Sequence, residues 1–362
     1  MKTQGYINKS PDIIFIMFLI IAIILVFSLS VTWPILNGWD DSIYVLYNRY
    51  LGLSSSNILR WFSSSIGGLY MPLPMLSYMV DYSIWGLNSV GYHLQNIFWH
   101  IIAVIFIYKN FRLFEVKSWI AFFICLIFAF HPQRVESVVW IAERKDVLCC
   151  AFYFSGIYFY IKNYDKKPPI VSFVLFILAI LSKPMAISLP AILIVFLFYK
   201  TKAYNPVYYI KKLYPFLAVM LFFIPLSLLT HENSVIMRSS FFTRIYNGFY
   251  NFLWYAKQTL FPYNLSPIYP RISFHDTVIF TIIAYAVLTL IVLMFFLKEK
   301  ETFTYKILPV ILCYLLSLLP VCGLVVVPGA MDRSDRFSYI PSVYLLFGIA
   351  LICNYLSLFG KL

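Results

Sequence analysis

Two adjacent carboxylates, Asp40 and Asp41, lie a few residues beyond the first long apolar run of the chain. Neighbouring carboxylates repel each other, and this repulsion favours proton uptake by one of them. A carboxylate of this kind can act as a general base and remove a proton from an acceptor hydroxyl. Because adjacent side chains diverge in extended backbone, we predict that Asp40 is the base and that Asp41 is a positioning or cation-binding group. The alternative is a helix cap or a turn, since Asp favours both.

A second concentration of ionisable residues is the segment from His131 to Asp146, HPQRVESVVWIAERKD, between two apolar runs. Charge at a membrane edge is costly unless it faces water, a partner or a substrate, so this segment is a candidate functional site. Pro132 is a good helix start. In helical projection an apolar stripe opposes a polar arc: Val135, Val138, Val139 and Ala142 against Glu136, Trp140, Glu143 and Arg144. We predict an amphipathic helix on the membrane surface whose acidic and basic groups face a pocket. The alternative is a solvated loop helix with ordinary ion pairs.

Four basic residues in and near this segment form a candidate anion site: Arg134, Arg144, Lys145 and Lys183. Lys183 follows an apolar run and is predicted to lie on the same face of the membrane as the other three. A lipid-phosphate leaving group needs fixed cations in a low-dielectric site, where the stabilisation of charge counts most. The alternative is that these basic side chains snorkel to the level of the lipid headgroups.

A third polar group precedes the last apolar run and consists of Asp332, Arg333, Asp335, Arg336 and Tyr339. Its alternating acids and bases can also be self-neutralising pairs at the bilayer edge. His93 and His100 are seven residues apart in one apolar run, near one face of a helix, and we interpret them as packed or facing lipid headgroups. No acidic or cysteine partner completes a metal set for them, so no metal site is predicted.

The composition places the chain among membrane proteins. Of 362 residues, 62% are hydrophobic and 20% are aromatic, and the mean hydropathy is +0.82, all outside the range of soluble domains. The formal net charge of +13 does not indicate a nucleic-acid partner, because the basic residues lie in short loops rather than in one patch. The six cysteines show no CxxC spacing and are interpreted as small apolar fillers.

We predict an all-α, polytopic transmembrane helical bundle with about ten spans. The candidate spans are residues 13–33, 92–108, 118–131, 147–161, 169–182, 186–199, 213–230, 276–297, 306–321 and 339–356. With the N-terminus in the cytoplasm, lysines collect in the cytoplasmic segments, as the positive-inside rule requires. Most of the arginines fall outside, and arginine is the better bidentate binder of phosphate and carboxylate. The extracytoplasmic face is therefore the predicted working face, and both termini are predicted to be cytoplasmic.

Residues 1–362 are predicted to form one transmembrane domain without a soluble repeat domain. Its polar content lies in the first extracytoplasmic loop at 34–91, the segment at 131–146, a long loop at 231–276 and the loop before the last span. Amphipathic stretches in the first loop predict short helices at the membrane interface.

The segment HPQRVESVVWIAERKDVL resembles the HP-x-x-VES-x-x-W-x-x-ERKD-x-L signature of the transmembrane and tetratricopeptide-repeat-containing O-mannosyltransferases and their bacterial relatives. WDDSIYV, PLPMLSYMVDYSIWGLNSVGYHLQNIFWH, LSKPMAISLP and DRFSYIPS resemble the same family, in the same order. The resemblance covers about residues 33 to 345, and its longest motif is specific.

This resemblance implies a GT-C-type glycosyltransferase that takes a sugar from a polyprenyl-phosphate carrier, with mannose as the first candidate. It implies that the sugar is transferred with inversion on the lumenal or periplasmic face. It matches Asp40 and Asp41 to the catalytic acidic pair. The residues expected to bind the donor phosphate are then Arg134, Arg144, Lys145, Lys183 and Arg336. Those expected to orient these cations or to bind the sugar are His131, Glu136, Trp140, Glu143, Asp146 and Tyr339.

Members of this family usually continue into tetratricopeptide repeats, which are thought to bind the protein acceptor, whereas this chain ends at Leu362. The acceptor is therefore a protein or a glycan, and a separate subunit is one expected source of acceptor binding. The expected location is a bacterial inner membrane, or the endoplasmic reticulum in a eukaryote. No cofactor beyond the lipid-linked donor is predicted, and a divalent metal is left open. Two competing functions are a transporter of lipid-linked sugars and a non-enzymatic assembly protein. Transporters usually place polar groups at mid-membrane, unlike this chain.

Overall fold

The computed structural model describes residues 9–166, 169–202, 205–230, 241–270, 274–298, 300–324 and 333–359. This part of the protein is helical and holds no β-strand, which confirms the all-α prediction. The helices are α1 Lys9–Phe27, α2 Ser55–Ser63, α3 Pro72–Trp85, α4 Ser89–Leu113, α5 Ser118–Phe130, α6 Arg134–Val139, α7 Arg144–Lys162, α8 Ile170–Ser182, α9 Leu189–Thr201, α10 Pro206–Thr230, α11 Phe241–Leu260, α12 Phe274–Lys298, the single turn α13 Lys300–Thr302, α14 Leu308–Leu318 and α15 Pro341–Phe359.

Helix starts follow from local chemistry. The hydroxyl of Ser54 accepts a hydrogen bond from the backbone N–H of Asn57 at 3.2 Å and caps α2. The side chain of Asn88 caps α4 in the same way. Proline occupies the first position of α3 and of α15, where its missing N–H has no helical partner to lose. These caps satisfy backbone donors that no intrahelical carbonyl can reach.

The centre of the bundle is α4. It packs along α7, α5 and α1, and α7 packs in turn along α8, while α14 joins α9 to α15. Ala103, Val104 and Ile107 of α4 are fully buried in this interface. Small side chains at a helix interface allow close approach of the backbones, which favours association between helices in lipid.

Each of the ten predicted spans corresponds to one helix of the structure. Five stretches are long and apolar enough to cross a membrane, namely Pro11–Ser30, Ser89–Leu113, Pro184–Thr201, Pro206–Ser227 and Thr304–Val321. Four shorter apolar stretches accompany them in the described residues, namely Ser118–Phe130, Ile170–Ser182, Thr277–Leu290 and Pro341–Ser357. The number of crossings stays a prediction.

Two predictions about the loops are corrected. The segment 131–146 is not one helix: α6 ends at Val139, Trp140 has an extended ψ of 117°, and a 3₁₀ turn from Ile141 to Glu143 leads into α7. The region 231–276, predicted as a loop, contains α11, a helix of 20 residues that packs on α12 and α15. Residues 231–240 and 271–273 of that region lie outside the described residues. The predicted short helices of the first loop are α2 and α3.

At one end of the bundle, basic side chains bind backbone carbonyls where helices end. Lys200 donates to the carbonyl of Leu113, the last residue of α4, at 2.6 Å. Lys117 donates to the carbonyl of Ser357 in the last turn of α15 at 3.1 Å. Cations at helix C-termini are favoured by the orphan carbonyls and by the helix dipole. We call this end the lysine end, and the end that carries the segment 131–146 the signature end.

Candidate active site

Four segments that are remote in sequence meet at the signature end around an open cavity of about 430 Å³. They come from the first loop, the segment 131–146, the chain after α11 and the turn before α15. The lining residues are Leu36, Trp39, Pro132, Gln133, Val135, Glu136, Trp140, Leu265, Ser266, Pro267 and Asp335. A concave site with apolar walls and a few convergent polar groups is the form that ligand sites usually take.

Asp40 and Asp41 have different environments. The side chain of Asp40 is 41% exposed, and its Oδ2 lies 3.8 Å from Nζ of Lys145. Asp41 is buried, and its two oxygens accept hydrogen bonds from the backbone N–H groups of Ala142 at 2.7 Å and Leu36 at 3.1 Å. Burial outweighs these hydrogen bonds and raises the pKa of Asp41 to about 6. The accessible carboxylate is therefore Asp40, and Asp41 binds two backbone segments together.

Three side chains from other parts of the molecule hold the backbone at the break between α6 and α7. Besides Asp41, the hydroxyl of Tyr78 donates to the carbonyl of Ile141 at 2.8 Å. The amide of Asn96 donates to the carbonyl of Trp140 at 3.2 Å. The same two carbonyls also accept from the backbone N–H groups of Glu143 and Arg144 in the 3₁₀ turn, so each of them bonds both locally and to another helix. The segment next to Asp40 is thereby fixed on α3, α4 and the first loop.

Glu143 is fully buried between cations. Nζ of Lys145 donates to its Oε1 at 2.8 Å, and Nε of Arg336 lies 3.3 Å from the same oxygen. Burial alone would raise the pKa of Glu143, but the charges of Lys145, Arg336 and Lys183 outweigh it and lower the pKa to about 2. Glu143 is therefore a fixed anion that connects the cation beside Asp40 to a cation beside the cavity.

Arg336 meets the cavity through Glu136. Its Nη1 forms an ion pair with Oε1 of Glu136, and its backbone N–H donates to Oε2 of the same carboxylate at 3.1 Å. Nη1 also donates to the carbonyl of Pro267 at 3.2 Å, and the guanidinium lies 5.5 Å from the ring centre of Trp140. Glu136 lines the cavity, and burial raises its pKa to about 7.

Lys183 forms a further buried pair at this end. It contacts Oδ1 of Asp146, whose Oδ2 accepts from the hydroxyl of Ser137 at 3.0 Å. The ammonium of Lys183 lies 5.3 Å from the ring centre of Phe337. The structure therefore brings together Asp40, Glu136, Trp140, Glu143, Lys145, Asp146, Lys183 and Arg336 from the residues predicted for the site.

Arg144 is placed differently from its prediction. It is fully buried, forms an ion pair with Asp81 of α3, and donates to Oδ1 of Asn96 and to the carbonyl of Tyr92, both at 2.8 Å. Nη1 also lies 3.3 Å from the hydroxyl of Ser77. These acceptors occupy most of the guanidinium, so Arg144 joins α3, α4 and α7 inside the protein. Its guanidinium has little donor capacity left for a phosphate.

Arg134 is also enclosed. Its Nη2 donates to the hydroxyl of Ser338 at 2.7 Å, and its guanidinium lies 5.1 Å and 4.8 Å from the ring centres of Phe128 and Tyr339. The hydroxyl of Tyr339 pairs with Nδ1 of His100. Arg134 and Tyr339 are fully buried away from the cavity lining, so both are left out of the proposed substrate contacts.

His93, His100 and His131 pack inside the protein. Nε2 of His131 lies 2.9 Å from the carbonyl of Thr259, and its Nδ1 accepts from the backbone N–H of Gln133 at 3.3 Å. This arrangement needs the neutral ring, and burial accordingly lowers the pKa of His131 to about 4. His93 and His100 are buried, the first bonded to the carbonyl of Trp33 at 3.0 Å. His131 therefore joins the turn between α5 and α6 to α11.

Asp335 fixes one wall of the cavity. Its Oδ2 accepts from the backbone N–H of Ser266 at 2.6 Å and from the hydroxyl of Tyr269 at 2.9 Å. Its Oδ1 accepts from the amide of Gln133 at 3.2 Å. Asp332, from the same predicted group, lies outside the described residues.

The sequence did not single out Asp81, Asn96 or Gln133 for the site. A usable signal existed for Asp81, which is an acidic residue in an otherwise uncharged α3 and falls in a motif of the family resemblance. Asn96 and Gln133 carry no charge, and no spacing marks them. Among the described residues, no group of three or more His, Cys, Asp and Glu side chains is arranged to hold a metal ion.

The chain is similar to proteins named protein O-mannosyl-transferases. A relative from Caenorhabditis elegans is 28% identical over 341 residues, covering 88% of this chain and 46% of the relative. TMTC2 of Homo sapiens is 33% identical over 99 residues, or 27% of this chain and 12% of that protein. TMTC3 of Mus musculus is 32% identical over 104 residues, or 28% and 11%.

The chain thus spans about half the length of the Caenorhabditis elegans relative and a smaller part of the mammalian ones. No family model matches the chain. No solved structure matches it either. The resemblance identified from the sequence motifs is confirmed by these relatives.

Proposed function

We propose that the protein is a membrane glycosyltransferase that moves a sugar, with mannose as the first candidate, from a polyprenyl-phosphate donor to a protein hydroxyl. The reaction is proposed on the non-cytoplasmic face, where the positive-inside rule puts the signature end. The names of the relatives support sugar transfer to protein. The lipid-linked donor is implied by the family resemblance, and the buried cations at the end of an apolar bundle support it.

One observation carries the proposal: an unbroken series of charged contacts runs from the accessible carboxylate to the cavity. Asp40 faces Lys145 at 3.8 Å, and Lys145 binds Glu143 at 2.8 Å. Glu143 lies 3.3 Å from Arg336, which reaches the cavity wall at Glu136. A base for the acceptor and cations for the leaving phosphate are therefore held in one rigid unit, as preorganised catalysis requires.

In this proposal each residue has one role in the reaction. Asp40 removes the proton of the acceptor hydroxyl as the oxygen attacks the anomeric carbon of the sugar. The bond from that carbon to the phosphate oxygen breaks on the opposite face, which inverts the configuration, and the lipid phosphate leaves with the electron pair. Arg336, Lys145 and Lys183 stabilise the charge of the leaving phosphate. Asp41 acts as a positioning residue through the backbone at Ala142.

The cavity offers a place for the sugar. The rings of Trp39 and Trp140 meet at 5.6 Å in an edge-to-face arrangement on its wall. Aromatic faces pack against the apolar face of a sugar ring, while carboxylate and amide groups bind its hydroxyls. Glu136 and Gln133 are the polar groups of this wall proposed to contact the sugar.

The test uses purified protein in detergent with a small panel of polyprenyl-phosphate sugars and a serine- and threonine-rich peptide. Wild-type protein is expected to turn over one of the donors. Asp40→Asn is expected to lower transfer by about a thousandfold, because a positioned general base contributes on the order of 10² to 10⁴. Membrane insertion and the melting temperature are expected to stay near wild type, since Asp40 is only half enclosed.

Two outcomes would contradict the proposal. If Asp40→Asn and Asp41→Asn both keep near-normal transfer, the assignment of the base is wrong. If no donor of the panel turns over in detergent while vesicles carry a lipid-linked sugar across the bilayer, the protein is a transporter. A transporter needs a membrane to separate two compartments, whereas sugar transfer to a peptide does not.

A further inference from the structure

The cavity side of Arg336 is covered by Glu136. Two atoms of Arg336, Nη1 and the backbone N–H, bind the two oxygens of this carboxylate. The hydroxyl of Ser334 adds a third hydrogen bond to Oε1 at 3.3 Å. Nε of the same guanidinium lies 3.3 Å from Oε1 of the buried Glu143. A phosphate that reaches Arg336 from the cavity therefore arrives beside a carboxylate that is already bound there.

The charges around Glu136 come from three elements. Arg336 lies on the turn before α15, Glu143 on the 3₁₀ turn before α7, and Asp146 on the first turn of α7. The charge of each of these residues affects the pKa of Glu136. Asp335 lines the same cavity. Lys145, Lys183 and Arg336 each contact a carboxylate in this structure, as described above. Each cation of the proposed phosphate site is thus already paired with a carboxylate before any ligand enters it.

Donor and spent carrier differ in the charge of the same phosphate. In the donor the phosphate is a diester with one negative charge. After transfer it is a monoester, whose second proton has a pKa of about 6, so it carries close to two negative charges at neutral pH. Without a neighbouring anion, cations such as Arg336 and Lys145 would bind the monoester more tightly than the diester, and the product would block the site.

We propose that Glu136 makes this site select the phosphodiester donor over the phosphomonoester product, so that the spent carrier leaves by charge repulsion. The proposal rests on the proposed function. A single added charge near an anion about 6 Å away, at an effective dielectric of about 20, changes affinity by roughly a hundredfold at most. Glu136 would thus be a specificity-determining residue that favours turnover rather than tight binding.

Protonation of Glu136 gives the proposal a second signature. Burial raises the pKa of this carboxyl to about 7. Above this value Glu136 is charged and repels the monoester, which is itself a dianion there. Below about pH 6 both groups take up protons, and the difference between the two ligands is expected to disappear.

The experiment compares two probes that share a lipid and differ in charge, farnesyl phosphate and farnesyl methyl phosphate. Their binding to the purified full chain in detergent is measured by calorimetry at about pH 8 and about pH 5.5, on either side of the second phosphate pKa. The variant is Glu136→Gln. The control is Glu115→Gln, the same chemical change at an exposed residue beyond the far end of α4.

At the higher pH, wild-type protein is expected to bind the diester at least as tightly as the monoester. Glu136→Gln is expected to bind the monoester about tenfold or more tighter than wild type does, with a smaller change for the diester. Glu115→Gln is expected to match wild type for both probes. At the lower pH, wild type is expected to lose its preference.

Three results would overturn the inference. A wild-type protein that prefers the monoester at the higher pH contradicts the inference. This measurement needs no variant, so it tests the inference even if Glu136→Gln does not fold. An unchanged ratio of the two affinities in Glu136→Gln contradicts it while leaving the proposed donor class in place. Failure of both probes to bind wild type and variant alike overturns the proposed phosphate site together with the inference.

Discussion

The two ends of the bundle treat basic side chains in opposite ways. At the lysine end, Lys117 and Lys200 bind backbone carbonyls at the ends of helices. At the signature end, Lys145, Lys183 and Arg336 are buried against carboxylates. Carbonyls at helix ends are available in any bundle, whereas each buried carboxylate must lose its hydration to be placed there. The difference separates cations that stabilise helix ends from the cations that we propose to bind the donor phosphate.

Burial of ion pairs is weak support for a purely stabilising role. Replacing such a pair by apolar side chains is often neutral or favourable, because the desolvation of two charges offsets their attraction. The signature end contains several such pairs beside an accessible carboxylate and an open cavity. This arrangement is expected where charge is needed for binding or reaction.

The largest expected effect on stability comes from Asp81→Asn. This change leaves Arg144 charged and fully buried without its counter-ion, and breaking a buried pair in this way costs about 3 to 5 kcal/mol. Thermal unfolding in detergent, followed by circular dichroism, should show a strongly lowered midpoint. If Asp81→Asn melts like the wild-type protein, Arg144 is not confined by α3, and its role as a phosphate ligand returns.

A second expected effect concerns the dependence of stability on pH. In the folded protein the pKa of Asp41 is raised from 3.8 to about 6, so the folded state holds a proton that the unfolded state releases. The stabilisation is fully present below about pH 4 and is lost as the pH rises through about 6, by an amount near 3 kcal/mol. Between about pH 4 and pH 6, the melting midpoint of wild-type protein relative to that of Asp41→Asn should therefore decrease as the pH rises.

Glu136 contributes in the same direction, since its pKa is raised from 4.5 to about 7. Adding Glu136→Gln to Asp41→Asn is therefore expected to change the pH dependence of stability further, in the same direction as Asp41→Asn alone. Because burial lowers the pKa of His131 to about 4, this residue changes stability in the opposite direction over the same pH range. An Asp41→Asn variant whose stability depends on pH in the same way as that of wild type would therefore contradict the shift at Asp41.

The smallest expected effect is at the lysine end. Asp12 pairs with Arg112 at 2.8 Å, and both side chains are partly exposed, at 18% and 17%. Exposed and partly exposed pairs contribute roughly 0 to 1 kcal/mol, so Asp12→Asn should lower the free energy of unfolding by less than about 1 kcal/mol. Sugar transfer should be unchanged. A loss of transfer in this variant would contradict the separation of the two ends.

The long apolar helices were predictable from the sequence because length and apolar content indicate helices that can cross a lipid bilayer. The more polar α11 was not predicted. The break at Trp140 was not predictable. The helical projection of 131–146 is self-consistent, and the break depends on hydrogen bonds that Tyr78 and Asn96 donate to its backbone from other helices. Since the break changes which residues face the cavity, the projection could not rank the neighbours Arg144 and Lys145.

The residue types of the site were predictable from the sequence. The direction in which each charged side chain points was not. Asp40 and Asp41 diverge as predicted, one toward Lys145 and one into the backbone of another segment. The reason given was wrong, because Asp41 has helical backbone (φ −57°, ψ −32°) and is not extended. The sequence also predicted that the polar loops lie on one face, and residues from each of these loops line the cavity. Whether a given arginine meets a ligand or a buried aspartate depends on packing between α3, α4 and α7.

The wall held by Asp335 has a consequence for how such a protein changes over time. The bonds that hold it use a backbone N–H and a tyrosine hydroxyl, and Arg336 reaches it through the carbonyl of Pro267. The side chains of Leu265 and Pro267 face the opening without taking part in these bonds. Over time, replacements at these two positions can therefore change the shape of the opening while the hydrogen bonds behind it are kept.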